Sequence, residues 1–364
     1  MNPESIYVHV PFCVSKCPYC AFASAVKREG DEELYLDSLS REMELRRLEI
    51  WKIKTLYIGG GTPSALSPRS WDKLVRLLDE NFSFEPGAEV TAEANPGSLS
   101  PEHLALWSEW RINRVSIGAQ SFEDGRLAFL GRTHCAAQAK DAAESCANAG
   151  FSVSLDMMFG LPGETLRDWM TDLREAISAG SSHISVYQLA IESGTPFAGR
   201  DLPLPEGYAQ YRYAQWRLPR SGYSQYEVAS FSKAGHESRH NLNYWNDGEY
   251  AGFGPSAWSH AGGARFRNAP SLNDYASLLA SSPVVFSERI EGERAARQAA
   301  VLALRTNLGI DWVEFSKRYG TRCADAIRRD LSLLPPDLIV NEPANSRHTA
   351  KGLRLGNAIW ARIV

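Results

Sequence analysis

A chain of 364 residues, 44% hydrophobic and 23% charged, is long enough to bury a large core and has the make-up of a soluble globular protein. Its net charge of -4 offers no concentrated basic surface, so nucleic acid is not an expected partner. No apolar run nears the roughly 18–20 residues that span a bilayer, and MNPESIYVHV lacks the basic-then-apolar order of a secretory signal; the expected location is cytoplasmic, with a peripheral membrane contact and a homodimer left open.

Along the first half, runs rich in β-branched residues stand at 5–10, 55–58, 89–94, 114–119, 153–159 and 183–190. Stretches with helical apolar spacing lie between them at 32–48, 70–80, 102–110, 136–149 and 166–179. Strands separated by helices imply βαβ units and a parallel sheet. Ser67-Pro68 and Ser100-Pro101 each place a capping hydroxyl before a proline in a first helical turn. Gly150 and Gly180 follow two helices where a left-handed C-cap is wanted. The expected fold class is α/β, an open, partial (β/α)6 barrel; a closed one needs eight units.

The rhythm breaks after about residue 195 at Gly194, Pro196, Pro203 and Pro205. An aromatic helix with Tyr208, Tyr211, Tyr213 and Trp216 comes next, then a loop-rich stretch at 222–263. Helices are expected at 294–304, 312–319 and 324–333, a strand at 338–340 and a last helix at 349–363. That order predicts a smaller C-terminal helical, winged-helix-like domain. It has no basic recognition helix, so a structural or protein-contact role is expected. The expected division is a barrel domain at 1–235, a barrel-closing segment at 236–290 that carries the motif His240–Trp245, and the C-terminal domain at 291–364.

Three of the six cysteines fall within eight residues, in Cys13-Val-Ser-Lys-Cys17-Pro-Tyr-Cys20. In a cytosolic chain such a cluster reads as metal binding, whereas the scattered Cys135, Cys146 and Cys323 read as ordinary thiols. Thiolates hold iron–sulfur clusters. Three cysteines on a [4Fe–4S] cube leave one iron without a protein ligand, open to an exogenous chelate, much as a catalytic zinc keeps one position free. A zinc site completed by His9 is the other reading of the same residues. The spacing C-x3-C-x2-C after a first strand resembles the signature of the radical S-adenosylmethionine (SAM) superfamily.

Polar residues recur where later strands end. They are Gly59-Gly60-Gly61-Thr62-Pro63, Glu93-Ala-Asn95, Gly118-Ala-Gln120, Leu130-Gly-Arg132, Asp156 and Gln188-Leu-Ala190. Ligand sites in α/β barrels lie at these ends. Glu93 and Arg132 could simply form an ion pair. The superfamily resemblance implies that SAM chelates the open iron and is cleaved by one electron. It also implies that Tyr7, Tyr19, Gly60, Gly61, Thr62, Glu93, Gln120, Arg132, Asp156 and Ala190 surround SAM.

The whole chain resembles the coproporphyrinogen III oxidase-like group, down to His348-Thr-Ala-Lys-Gly-Leu-Arg-Leu. The oxidases have a fourth cysteine two residues past the third; here that position is Phe22. His240-Asn241-Leu-Asn-Tyr244-Trp245 matches the HNxxYW motif of the group's heme chaperones. Histidine is a common heme ligand, and Tyr and Trp can stack on a macrocycle. From spacing alone the same residues could be a packed loop. The resemblance implies a heme chaperone with a [4Fe–4S] cluster, SAM and heme, serving client respiratory proteins. Oxidative decarboxylation of coproporphyrinogen III is the alternative activity. Gly252-Phe-Gly254-Pro-Ser256-Ala-Trp258 is expected to help close the SAM pocket.

Overall fold

The structure is a computed structural model that describes residues 2–46 and 50–363. Six parallel strands form its centre: β1 (Ser5–Val10), β2 (Trp51–Gly60), β3 (Phe82–Ala94), β4 (Arg114–Gln120), β5 (Ser152–Phe159) and β6 (His183–Gln188). Each pairs with its chain neighbour, in the order β1 to β6 without reversal. A doubly wound sheet would reverse its strand order; a barrel does not. The series stays open. Ala251–Phe253 runs parallel to β1 at one edge, and Ser230–Ser232 runs antiparallel to β6 at the other, followed by Ser224–Gln225.

Between the strands run α1 (Asp31–Arg46), α2 (Pro68–Asn81), α3 (Pro101–Glu109), α4 (Asp124–Phe129), α5 (Ala136–Asn148) and α6 (Leu166–Ser178). Ser67 and Ser100 cap α2 and α3 as expected, accepting from the backbone N–H groups of Ser70 and His103. Gly150 and Gly180 adopt φ of 88° and 76°. The end of the predicted 32–48 helix lies outside the described residues. Two strands are longer than predicted. In β2 the alternation starts earlier, with Trp51 and Ile53 buried and Lys52 and Lys54 outward. Helix α4 is an addition, started by Glu123, whose carboxylate accepts from the N–H groups of Gly125 and Arg126.

Alternation along the strands separates two environments. Val115, Ile117, Val153, Leu155, Ile184 and Val186 are buried in the main apolar core. Their neighbours Arg114, Ser116, Ser154, Asp156, Ser185 and Tyr187 face an interior cavity. The second half adds α7 (Tyr208–Arg217), α8 (Arg239–Trp245), α9 (Leu272–Leu278), α10 (Gly292–Leu304), α11 (Trp312–Tyr319) and α12 (Thr321–Ser332). Helices α10 to α12 enclose a second core with the hairpin Ile339–Asn341 and Asn345–His348. The chain therefore has the expected α/β barrel and winged-helix-like module.

The segment 236–290 contributes the strand Ala251–Phe253, which pairs with β1 at the edge of the main sheet. One expectation changes. The predicted helix at 349–363 is two short helices, Ala350–Arg354 and Gly356–Trp360. The break is at Leu355, whose φ of -110° and ψ of 14° are not helical, and the Trp360 ring packs one turn on against Gly356, where a Cβ would meet it at 2.6 Å. No helix of the described residues is long and apolar enough to cross a membrane.

Candidate cluster and ligand site

The loop after β1 carries the three cysteines over the C-terminal ends of the strands. Two neighbouring loops press against it. An added Cβ on Gly61 would collide with the Phe12 carbonyl oxygen, so only glycine lets the β2 loop lie this close. Gly60 has φ of 111° and lies against the His9 ring. Thr62 Oγ1 is 3.5 Å from Cys13 Sγ. On the other side Arg132 Nη1 is 3.6 Å from Cys17 Sγ, while its Nη2 donates to the Gly118 carbonyl at 2.8 Å. Lys16 donates to the Phe22 and Ser24 carbonyls and closes the loop on itself.

Cys13, Cys17 and Cys20 line one cavity of about 340 Å³. Among the described residues no three His, Cys, Asp or Glu side chains converge as a single metal ion would require. A cube places each cysteine on a different iron, and three thiols round one rim suit that arrangement. His9 is not a fourth ligand. Its Nε2 is 2.7 Å from the Ala23 carbonyl and its Nδ1 is 3.0 Å from the Tyr7 hydroxyl. Burial also pushes the Cys20 thiol up from its ordinary pKa; thiolate ligation would have to offset that cost.

The cavity continues from the cysteines to the strand ends. Tyr19, Gly60, Gly61, Thr62, Glu93, Gln120, Arg132 and Asp156 all line it. The alternative reading of Glu93 and Arg132 as an ion pair does not match the structure. Glu93 instead accepts from the Tyr57 hydroxyl at 2.8 Å and from the Gly60 N–H at 3.0 Å. Arg132 keeps a buried Nε with no partner. Such an orphan is costly unless a ligand meets it, which fits an anionic group such as the SAM carboxylate. Gln120 sits at φ of 67°, a left-handed conformation that side chains rarely adopt and that often marks functional sites.

Burial is the main force on the two carboxyls. It raises Glu93 to about 7 against the stabilising bond from Tyr57, and Asp156 to about 6 against the attraction of Arg114. Ser116 donates to Asp156 at 3.2 Å. Arg114, 4% exposed, also faces this cavity, and its Nε lacks a partner.

Two expected SAM residues lie elsewhere. Tyr7 is behind the wall, its hydroxyl bonded to His9 and its ring 6.2 Å from that of Tyr57. Ala190 lies beyond the end of β6, exposed and outside the cavity lining. Sequence reasoning missed Tyr57, Arg114, Ser116, Ser154, Ser185 and Tyr187, which also line the cavity. Their signal was the period-two alternation of polar with apolar residues, as in Arg114-Val-Ser116-Ile.

The HNLNYW segment is helix α8. Ser238 caps it, and Glu89 accepts from the N–H groups of Arg239 and His240, both at 2.9 Å. Asn241 reaches the cavity wall. His240 is fully buried, with Nδ1 2.8 Å from Thr55 Oγ1 and Nε2 2.7 Å from the Tyr244 hydroxyl. Neither ring nitrogen is free for iron, so the axial-ligand expectation does not fit this arrangement. Trp245 does not stand open to a macrocycle either, because the Arg305 guanidinium lies 5.2 Å from its ring centre. Phe22, in contrast, is 66% exposed at the cavity rim.

Comparison with known proteins places these features. The model of the radical SAM superfamily matches residues 7–176. The curated heme chaperone HemW of Lactococcus lactis subsp. lactis is 31% identical over 100% of this chain and 98% of its own. The heme chaperone HemW of Bacillus subtilis is 34% identical over 98% of each chain, and that of Haemophilus influenzae is 41% identical over 71% of this chain and 70% of its own. Among solved structures, the radical SAM enzyme coproporphyrinogen III oxidase (HemN) from Escherichia coli superposes with a TM-score of 0.87 at 24% identity. It covers 100% of this chain and 90% of that one, a likeness of fold.

Proposed function

The chain belongs to the HemW family within the radical SAM superfamily, and from that membership we propose that it is a heme chaperone, which binds heme and delivers it to client proteins. The full-length likeness to curated heme chaperones carries this reading. The exposed Phe22 supports it, standing where the oxidase-like resemblance would have a further cysteine.

Membership implies a [4Fe–4S] cluster and SAM. Cys13, Cys17 and Cys20 would hold the cluster, and Gly60, Gly61, Thr62, Glu93, Gln120, Arg132 and Asp156 would surround SAM. Together these cofactors supply one-electron radical chemistry. The chain's own part is positional. Arg132 ties the cysteine loop to β4, the glycines admit close backbone approach, and burial raises the proton affinity of Glu93 and Asp156, so that a cationic ligand would favour their ionised forms. In this reading heme transfer takes place in the cytoplasm and would be enabled or gated by the cluster that Cys13, Cys17 and Cys20 would hold, together with SAM. The recipients are respiratory heme proteins, reached through a peripheral membrane contact.

The test is a heme titration of anaerobically reconstituted protein, with coproporphyrinogen III turnover measured on the same sample. Saturable heme binding without release of carbon dioxide is expected. Turnover without heme binding would overturn the reading in favour of a decarboxylase.

A further inference from the structure

The histidine of HNLNYW is closed off, yet the same helix walls a second cavity on its other side. This cleft, of about 360 Å³, lies between the end of α8, the strands Trp258–Ala261 and Ala264–Asn268, and α10. Tyr244, Tyr250, Trp258, His260 and Leu302 line it, together with Gly248 and the charged Asp247, Arg265 and Glu288. Three aromatic rings and a leucine suit a flat apolar ligand.

His260 is held in place by its backbone, which exchanges hydrogen bonds with Tyr250 at 2.8 and 2.9 Å. Its Nδ1 faces the Gly248 carbonyl at 3.4 Å and an Asp247 carboxylate oxygen at 3.8 Å. Acceptors on that side put the proton on Nδ1 and leave the Nε2 lone pair unpaired in a side chain that lines the cleft, the arrangement that orients metal-binding histidines. Among the described residues no hydrogen bond occupies Nε2. The charges nearby are balanced. Asp247 is bonded by Arg265 at 3.5 Å and by Arg318 at 3.1 Å, and Glu288 at the rim lies 3.7 Å from Arg294. Arg265 thus brings a cation to the lip of the cleft, where an acidic substituent of a bound macrocycle would meet it. Trp258 is 39% exposed, and Phe286 packs edge-on against it at 5.5 Å, extending the apolar wall outward.

We propose that this cleft is the heme site, with His260 Nε2 as the iron ligand and Arg265 facing a propionate. The proposal rests on the heme-chaperone reading. It also gives the HNLNYW helix a role: Tyr244 walls the heme cleft while Asn241 walls the cluster cavity. One histidine in an open cleft binds iron without enclosing the macrocycle, as a protein that must release its cargo requires.

The experiment uses the full chain with its cluster reconstituted, titrated with ferric heme and followed by absorbance and electron paramagnetic resonance. His260→Ala should lose the histidine-ligated spectrum and bind heme about tenfold or more weakly, and added imidazole should restore that spectrum. Arg265→Ala should weaken binding while leaving the spectrum unchanged. An unchanged spectrum and affinity in His260→Ala, or a thiolate-type spectrum in the wild type, overturns the site but not the chaperone reading. Absence of saturable heme binding by the wild type overturns both.

Discussion

Glu93 and Asp156 hold their protons to higher pH in the folded chain than in the unfolded one, at about 7 and about 6 against ordinary values of 4.5 and 3.8. Their contribution to stability is therefore full below the unfolded values and is lost as pH rises through the folded ones. Glu93→Gln should flatten the fall in Tm of ligand-free protein between about pH 4.5 and 7; a slope equal to the wild type's would show that burial does not set this carboxyl. Cationic SAM entering the cavity favours the ionised carboxylates. Its binding should release protons near pH 6–7, read by calorimetry in buffers of different ionisation enthalpy, and a heat independent of buffer would contradict this. At Gly61 the constraint is steric. Gly61→Ala should cost about 1–3 kcal/mol and lower the iron content after reconstitution, because the Phe12 carbonyl cannot yield without moving the cysteine loop.

At the scale of elements, α8 is held by its ends. Glu89 reaches from β3 to the first N–H groups of the helix, placing a carboxylate at the positive end of its dipole. Replacing it with Gln weakens charge-assisted bonds without removing volume. Glu89→Gln should destabilise the protein by about 1–2 kcal/mol, measured by chemical denaturation. If the helix orients both cavities, the same variant should also weaken heme binding. Thr55 anchors the middle of the helix through His240. The histidine of the motif is thus a structural joint between strand and helix, which its residue type alone did not reveal.

Across the whole molecule, the C-terminal domain is bound to the barrel through side chains of both. Arg305 on one side lies between Trp245 of α8 and Trp360, 5.2 and 4.4 Å from their ring centres. Arg318 donates to the Asn246 and Asp247 carbonyls, and Arg354 bonds Gln215 and Tyr208. Val228 packs into the C-terminal core. Arg305→Ala should lower stability by about 1–2 kcal/mol through the lost cation–π contacts. It should also split thermal unfolding into two transitions where the wild type shows one, as scanning calorimetry of both would show; one unbroken transition in the variant would mean that the other contacts suffice.

The strand and helix order, the cysteine loop and the caps were legible in the sequence because each depends on neighbours a few residues away: alternation for Ser5–Val10, proline and serine for α2, three thiols in eight residues for the cluster. The cavity wall was legible only in part. Glu93, Gln120, Arg132 and Asp156 announced themselves as polar residues at strand ends, whereas Arg114 and Tyr57 sit deeper in their strands, where alternation assigns them a face but does not say that this face lines a cavity. Ala190 and Tyr7 show the reverse: adjacency along the chain to a strand end or strand core did not bring them into the cavity. What His240 and His260 can do was decided by tertiary structure alone. Thr55 and Tyr244 consume both nitrogens of the first, and a carbonyl with a carboxylate on one side leaves a nitrogen of the second outward. A ligand's availability depends on which partners the fold brings to its atoms, and those partners lie up to 185 residues away.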